Sequence, residues 1–276
     1  MNSTGRTTIR NPKPVLSPSA RLRINTAEAS KIQNLPSDAA LAKKVALSCQ
    51  ILAKLGLFKE TTGHVSARSS DGKRMLIRGR GREEKGLLFT TAKDVVLSDF
   101  DGQRIPKDGV LKPPNESCIH GELYKAHPHV GAVVHAHPAS IVLASVAGIE
   151  LRPIFGGYDP RAMRLAITGV PVYRSSLTLH SKEQVLEMIK VMGNREVCVL
   201  RGHGVVVCGK DVEQATITAI KLDHLAKLNL QAASLGKVPA ISEEDQNAFM
   251  TRGRTGMGGG GAETLWRFYC EWLRRA

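Results

Sequence analysis

Gly131-Ala132-Val133-Val134-His135-Ala136-His137-Pro138 is the stretch on which the reading of the fold turns. Its small and β-branched residues, bounded by glycine and proline, predict a buried strand that Pro138 ends. Side chains alternate along a strand, so His135 and His137 point to the same face two residues apart.

Two further segments bear on that pair. Downstream, Arg201-Gly202-His203-Gly204 sets a third histidine between two predicted strands, Glu196 to Leu200 and Gly204 to Val207. Upstream, Glu116 follows Lys112-Pro113-Pro114-Asn115. Asn115 is expected to cap a helix from Glu116 to Ala126. Glu116 then lies in the first turn, where the helix dipole favours a carboxylate. His120, four residues on, shares its face; it either orients Glu116 or is simply a packed or exposed helix histidine. Taken alone, a histidine on an apolar strand reads as a satisfied core residue. A same-face pair, a glycine-flanked third histidine and an upstream glutamate together read as a catalytic site. Three neutral imidazoles can hold one divalent metal and leave a coordination position open. Zinc, manganese, iron and cobalt all suit such ligands. A nearby carboxylate can then move protons.

Helices and strands alternate irregularly through the rest of the chain, which predicts an α/β fold with a mixed or antiparallel sheet. Residues 1–36 read as an irregular basic arm. Ser37 caps a predicted helix from Asp38 to Leu55, stopped by Gly56. Residues 62–68 enter a strand. Arg74 to Ile77 and Gly86 to Thr90 read as two strands around Arg78-Gly79-Arg80-Gly81-Arg82. That basic cluster is either a solvated hairpin turn or a surface for a small anion, since guanidinium pairs bidentately with carboxylate. Val95 to Leu97 is a short strand, and Asp101-Gly102 a turn. Helices are expected over Ala139 to Ala147, Asp159 to Thr168 and Lys182 to Met192, the last opened by a Ser181/Gln184 capping box. Val170 to Tyr173 is a strand between them. A long helix runs from Asp211 to Gly236. A catalytic domain over 37–240 is followed, in 241–276, by a glycine-rich linker and an aromatic piece, Leu265 to Leu273. Trp266, Phe268, Tyr269 and Trp272 crowd that piece, which suggests that it packs on a partner subunit or closes over the site.

Composition narrows the function. The chain has 276 residues and a net charge of +14. That charge alone would fit nucleic acid. Aromatics make up only 4% of the chain, and no nucleic-acid-binding motif is present, so a nucleic-acid partner is not expected. No run of about 18 apolar residues predicts a membrane span. The N-terminus lacks the apolar core of a secretory signal. Its four arginines, with no acid, also have the composition of a mitochondrial-type presequence; a disordered or partner-bound arm is the reading taken. Five scattered cysteines without CxxC spacing fit a reducing compartment, hence a cytoplasmic location.

Four motifs together resemble the class II aldolase/adducin family over roughly residues 37–235. They are Thr62-Gly63-His64-Val65-Ser66-Ala67-Arg68, Pro114-Asn115-Glu116, Val133-Val134-His135-Ala136-His137 and Arg201-Gly202-His203-Gly204. The resemblance implies an α/β/α sandwich around a mostly antiparallel central sheet, in a homotetramer with sites at subunit interfaces. It implies one divalent metal per subunit on His135, His137 and His203. Glu116 matches the family's acid/base, which in some members also ligates the metal. Sugar-phosphate members cradle phosphate with small polar pairs where this chain has Gly63-His64, Ala92-Lys93 and Pro114-Asn115. Proline and alanine bring no hydroxyl, and proline no N–H, so the cradle is dismantled.

The same departures occur in a branch of the family that decarboxylates hydroxylated ring dicarboxylates, such as 3,4-dihydroxyphthalate or a pyridine-4,5-dicarboxylate. Similar to that branch are Arg80-Gly81-Arg82 ahead of Glu84-Lys85-Gly86-Leu87, Ile154-Phe155-Gly156-Gly157-Tyr158 and Leu265-Trp266-Arg267. This implies a carboxy-lyase of aromatic catabolism acting on a small anionic aromatic substrate. Glu116, protonated, would deliver a proton to the ring carbon, which requires its pKa to be raised. Arg80 or Arg82, with His64 as a further candidate, would hold the second carboxylate, and Asn115 belongs to the same expected substrate-binding set. Tyr158 would line the ring pocket, and it and His64 join Glu116 as candidate catalytic residues. The alternatives are an aldolase or epimerase on a sugar phosphate or non-phosphorylated aldol, and an adducin-like binding module without catalysis.

Overall fold

The computed structural model describes residues 36–252 and 261–275. The expected N-terminal arm and most of the glycine-rich linker lie outside the described residues. The first helix, α1 (Asp38–Lys54), opens as expected, with the Ser37 hydroxyl accepting from the Ala40 N–H at 3.3 Å. Gly56, at φ +77°, takes the left-handed turn just past its end.

Eight strands follow: β1 (His64–Arg68), β2 (Met75–Arg78), β3 (Val95–Ser98), β4 (Arg104–Ile105), β5 (Ala132–Ala136), β6 (Val172–Tyr173), β7 (Val197–Leu200) and β8 (Gly204–Gly209). They form one sheet in the order β4-β3-β2-β1-β5-β8-β7-β6. Every neighbouring pair is antiparallel except β6 and β7, which are parallel. The other helices are α2 (Ser117–Ala126), α3 (Ala139–Val146), α4 (Pro160–Thr168), α5 (Lys182–Met192), α6 (Val212–Ser234), α7 (Glu243–Arg252) and α8 (Ala262–Arg275).

The period-2 pattern sorts the strand residues into two cores. Val65, Ala67, Ala132, Val134, Ala136, Val205 and Val207 pack with residues of α1, α6 and α8 such as Leu52, Ile220 and Trp266. Met75, Ile77, Val133, Cys198, Val206 and Cys208 pack with Ile119, Leu123 and Tyr124 of α2 and Met188 of α5. The architecture is therefore the α/β/α sandwich with a mostly antiparallel sheet. The central strand β5, with neighbours on both sides, is buried along its whole length.

Several local expectations are corrected. Gly86 to Thr90 is not a strand. Gly86 adopts φ +85°, which ends extended structure, and Leu87–Phe89 form a 3-10 turn closed by the Thr90 hydroxyl on the Leu87 carbonyl at 2.9 Å. The basic cluster is not a simple hairpin turn either. Arg80 pairs by its backbone with Lys112, and Arg78 is buried with its guanidinium 2.5 Å from Glu84. Helix α2 begins at Ser117, so Asn115 is not its cap; Glu116 occupies the cap position with its side chain turned elsewhere. One strand and one α-helix among the described residues were not foreseen. Strand β4 is only two residues long. Helix α7 carries a readable signal: Ser242 accepts from the Asp245 N–H at 3.1 Å, ahead of Glu243, Glu244 and Asp245 in the first turn.

The C-terminal helix α8 buries Trp266 in the chain's own core beside α1 and α6. Lys54 of α1 lies 4.9 Å over the Trp272 ring. The aromatic piece offered by the sequence to a partner or to the site is thus seated on its own domain, with Phe268 left exposed. Cys49, Cys198 and Cys208 are buried free thiols. No helix among the described residues is long and apolar enough to cross a membrane.

A candidate metal centre on the central strands

His135 stands on β5, opposite His64 of β1 and Val206 of β8. It faces the side covered by α2 and α5, as does Val133 two residues earlier. His137 follows just past the strand end, where its N–H bonds the Leu57 carbonyl at 3.2 Å. His203 sits in the tight β7–β8 connection, whose Gly202 takes φ +69°. Gly204 has to be glycine: a Cβ there would fall 2.3 Å from the Ala136 carbonyl and 2.6 Å from the His137 ring. That close approach carries His203 to His137, with ring centroids 5.0 Å apart.

Glu116 enters from the start of α2. Its Oε1 accepts the Leu179 N–H at 3.1 Å, a partner from the loop before α5. Oε2 lies 3.4 Å from His135 Nε2, and Oε1 lies 3.7 Å from His203 Nε2. One ligand atom each from Glu116, His135, His137 and His203 falls within 4.8 Å of all the others.

The donor set fits a divalent cation. His135 Nδ1 donates to the Val205 carbonyl at 3.1 Å, which aims Nε2 into the cluster. His137 Nε2 lies 2.9 Å from that nitrogen. Burial, followed by the nearby His135 and His203, pushes His137 down to about 3. Burial likewise lowers His203. Both imidazoles are therefore neutral at pH 7, with lone pairs available to a metal. Burial pushes the Glu116 carboxyl up, but its contacts with His135 and His203 and the Leu179 N–H outweigh it and hold the group at about 2. The expected raised pKa is not met, and Glu116 is ionised at pH 7. A divalent cation at the imidazoles acts in the same direction.

His120 does not orient Glu116. Its Nε2 lies 2.7 Å from His64 Nδ1 and its Nδ1 lies 2.6 Å from Ser66 Oγ. Ser66 Oγ in turn meets the Tyr124 hydroxyl at 2.7 Å. All four residues are buried. The His64 ring stands 5.0 Å from that of His135, so this chain abuts the cluster. Arg80 is half-exposed, 3.4 Å from Glu84, and its charge reaches His64. Arg82 and Asn115 are exposed. Tyr158 is 79% exposed, and its ring contact is Phe155 at 6.0 Å. Sequence reasoning missed Ser66, Tyr124 and the Leu179 N–H. Ser66 follows His64 by the same alternation as the His135/His137 pair, and Tyr124 continues the Glu116, His120 spacing along α2, so both were signalled.

The profile of the class II aldolase and adducin N-terminal domain matches residues 43–230. The chain belongs to this family. It is 43% identical to 3,4-dihydroxyphthalate decarboxylase of Arthrobacter keyseri over 195 residues, 70% of this chain and 78% of that relative. It is likewise 43% identical over 205 residues to the enzyme of the same name from Terrabacter sp. strain DBF63, covering 73% and 85%. An aldolase II superfamily protein from Pseudomonas syringae superposes with a TM-score of 0.75 at 20% identity, covering 90% of this chain and 97% of that one. This last likeness bears on the fold alone.

Proposed function

We propose that this protein removes CO2 from a hydroxylated aromatic ortho-dicarboxylate of the 3,4-dihydroxyphthalate type, at a divalent metal held by His135, His137 and His203. The observation that carries the reading is the convergence of Glu116 with these three imidazoles, in a chain 43% identical to relatives so named. His64, Ala92 and Pro114, where sugar-phosphate members carry a phosphate cradle, weigh against an aldolase on a phosphorylated sugar.

Breaking the ring–carboxylate bond leaves an electron pair that passes into the ring toward the ortho oxygen. Bound at the cluster, a divalent metal supplies a Lewis acid for that oxygen and the adjacent carboxylate. Glu116 is ionised in the free protein and so begins as a base. It takes the proton of the hydroxyl ortho to the departing carboxylate. It delivers that proton to the ring carbon bearing the carboxylate, which leaves the ortho oxygen as a carbonyl. The ring–carboxylate bond then breaks, CO2 departs, and the electron pair restores the aromatic ring and the negative charge on that oxygen. The second carboxylate stays on the product and is met by His64 and Arg80. The same reading places the enzyme in aromatic catabolism, as a cytoplasmic homotetramer.

The test is CO2 release from 3,4-dihydroxyphthalate by purified protein, with and without chelator. Chelator-sensitive release with 3,4-dihydroxybenzoate as product is expected. Absence of release from metal-loaded protein, with cleavage of a non-phosphorylated aldol substrate instead, would replace this reading with the aldolase one.

A further inference from the structure

The hydrogen-bonded chain His64–His120–Ser66–Tyr124 has three links, of 2.7, 2.6 and 2.7 Å. Each link takes one hydrogen. Two neutral imidazoles and two hydroxyls bring four, so one is left over. Both rings are buried and neither has a carboxylate partner among the described residues, so each is neutral at pH 7.

Where the surplus hydrogen lies depends on the direction of the chain. If His120 donates to Ser66, the spare hydrogen belongs to Ser66 or Tyr124. Ser66 is 0% and Tyr124 1% exposed, and neither hydroxyl has another acceptor among the described residues. A buried donor without an acceptor is the costly outcome. If Tyr124 donates to Ser66, Ser66 to His120 Nδ1 and His120 Nε2 to His64 Nδ1, all three inner hydrogens are used. The spare one then falls on His64 Nε2. That nitrogen has no protein partner among the described residues, and His64 keeps a 3% exposure beside the His135 ring.

We propose that Tyr124 and Ser66 are positioning residues which fix His64 as the Nε2–H tautomer, so that His64 presents an N–H donor beside the metal cluster and selects a substrate carrying a carboxylate there. A bare Nδ1 turned toward His120 and a protonated Nε2 also keep His64 out of the metal's ligand set. The choice of carboxylate as the acceptor rests on the function proposed above; the tautomer does not.

The experiment is 15N spectroscopy of histidine-labelled, zinc-loaded full-length protein. The His64 signal is identified by its loss in His64→Gln. A protonated Nε2 and a bare Nδ1 are expected, and a protonated Nδ1 would overturn the proposal. Ser66→Ala leaves His120 Nδ1 without its donor, so a mixture of His64 tautomers is expected; an unchanged His64 signal would remove Ser66 from the account. The selectivity readout is the ratio of kcat/KM for 3,4-dihydroxyphthalate over 2,3-dihydroxybenzoate, which lacks the retained carboxylate. His64→Gln keeps an N–H donor and should preserve the ratio. His64→Leu should lower it by about tenfold or more, as loss of a hydrogen bond to a charged group does. A ratio unchanged in His64→Leu would overturn the selectivity. If no decarboxylation occurs at all, the proposed function fails, while the tautomer measurement still decides the direction of the chain.

Discussion

Acidifying the metal-stripped protein from pH 7 to pH 5 should destabilise it through its buried histidines. His120 and His137 lie at about 3 in the folded chain, against 6.5 for an ordinary imidazole. A group with a lowered folded pKa binds its proton first in the unfolded chain. Stability therefore falls as pH drops below 6.5 and continues to fall until the folded pKa is reached. At pH 5 the unfolded imidazole lies 1.5 units below its pKa, and at 1.36 kcal/mol per unit each group costs about 2 kcal/mol. The two together cost about 4 kcal/mol, against a typical total stability of about 5–15 kcal/mol. His64 and His203 are lowered too and act in the same direction. Glu116, at about 2 against an ordinary 4.5, stays ionised in the folded chain and adds only about 0.2 kcal/mol in the same direction at pH 5. Glu196, raised by burial, works weakly the other way near pH 5. The assay is urea unfolding at pH 7 and pH 5, at one protein concentration, with the slope m checked for constancy. His120→Gln should reduce the pH dependence by about 2 kcal/mol. Equal stability at the two pH values, or the same dependence in His120→Gln, would refute the claim that these rings are buried neutral.

Other expectations follow from the site and from one buried ion pair. Glu116→Gln keeps a ligand-sized side chain but cannot shuttle a proton, so turnover should fall by about 10²–10⁴-fold with metal content retained; a near-normal rate would remove Glu116 from proton transfer. His137→Ala should lose both metal and activity, and full metal occupancy measured by elemental analysis would refute its role as ligand. Glu84→Ala strands the buried Arg78 guanidinium and should destabilise by about 3–5 kcal/mol; an unchanged unfolding midpoint would show that Arg78 finds another partner.

The sheet and the gathering of His135 and His137 were legible because both follow from periodicity. Alternation put His135 and His137 on one face before any contact was known. Glycine beside His203 marked a turn whose tightness the Gly204 contacts bear out. The capping box at Ser181 and Gln184 opens α5 where expected. What escaped depends on partners distant in sequence. The Leu179 N–H that fixes Glu116 comes from a loop 63 residues away, and no local pattern announces it. The Arg78–Glu84 pair lies inside a segment read as strand, turn and strand, because the apolar run after Gly86 mimics a strand until Gly86 takes a positive φ. The Glu116 pKa was misjudged for the same reason. Burial alone would raise it, and only the gathered imidazoles and the Leu179 N–H reverse the sign.

The central claim is that CO2 loss occurs at a metal bound by this cluster. The most direct measurement follows metal content and CO2 release from 3,4-dihydroxyphthalate on the same preparation, stripped and then titrated with zinc, manganese, iron(II) or cobalt. Release should rise with bound metal and saturate at one ion per chain. Release undiminished by stripping, or absent from protein carrying one ion per chain of each metal, would contradict it.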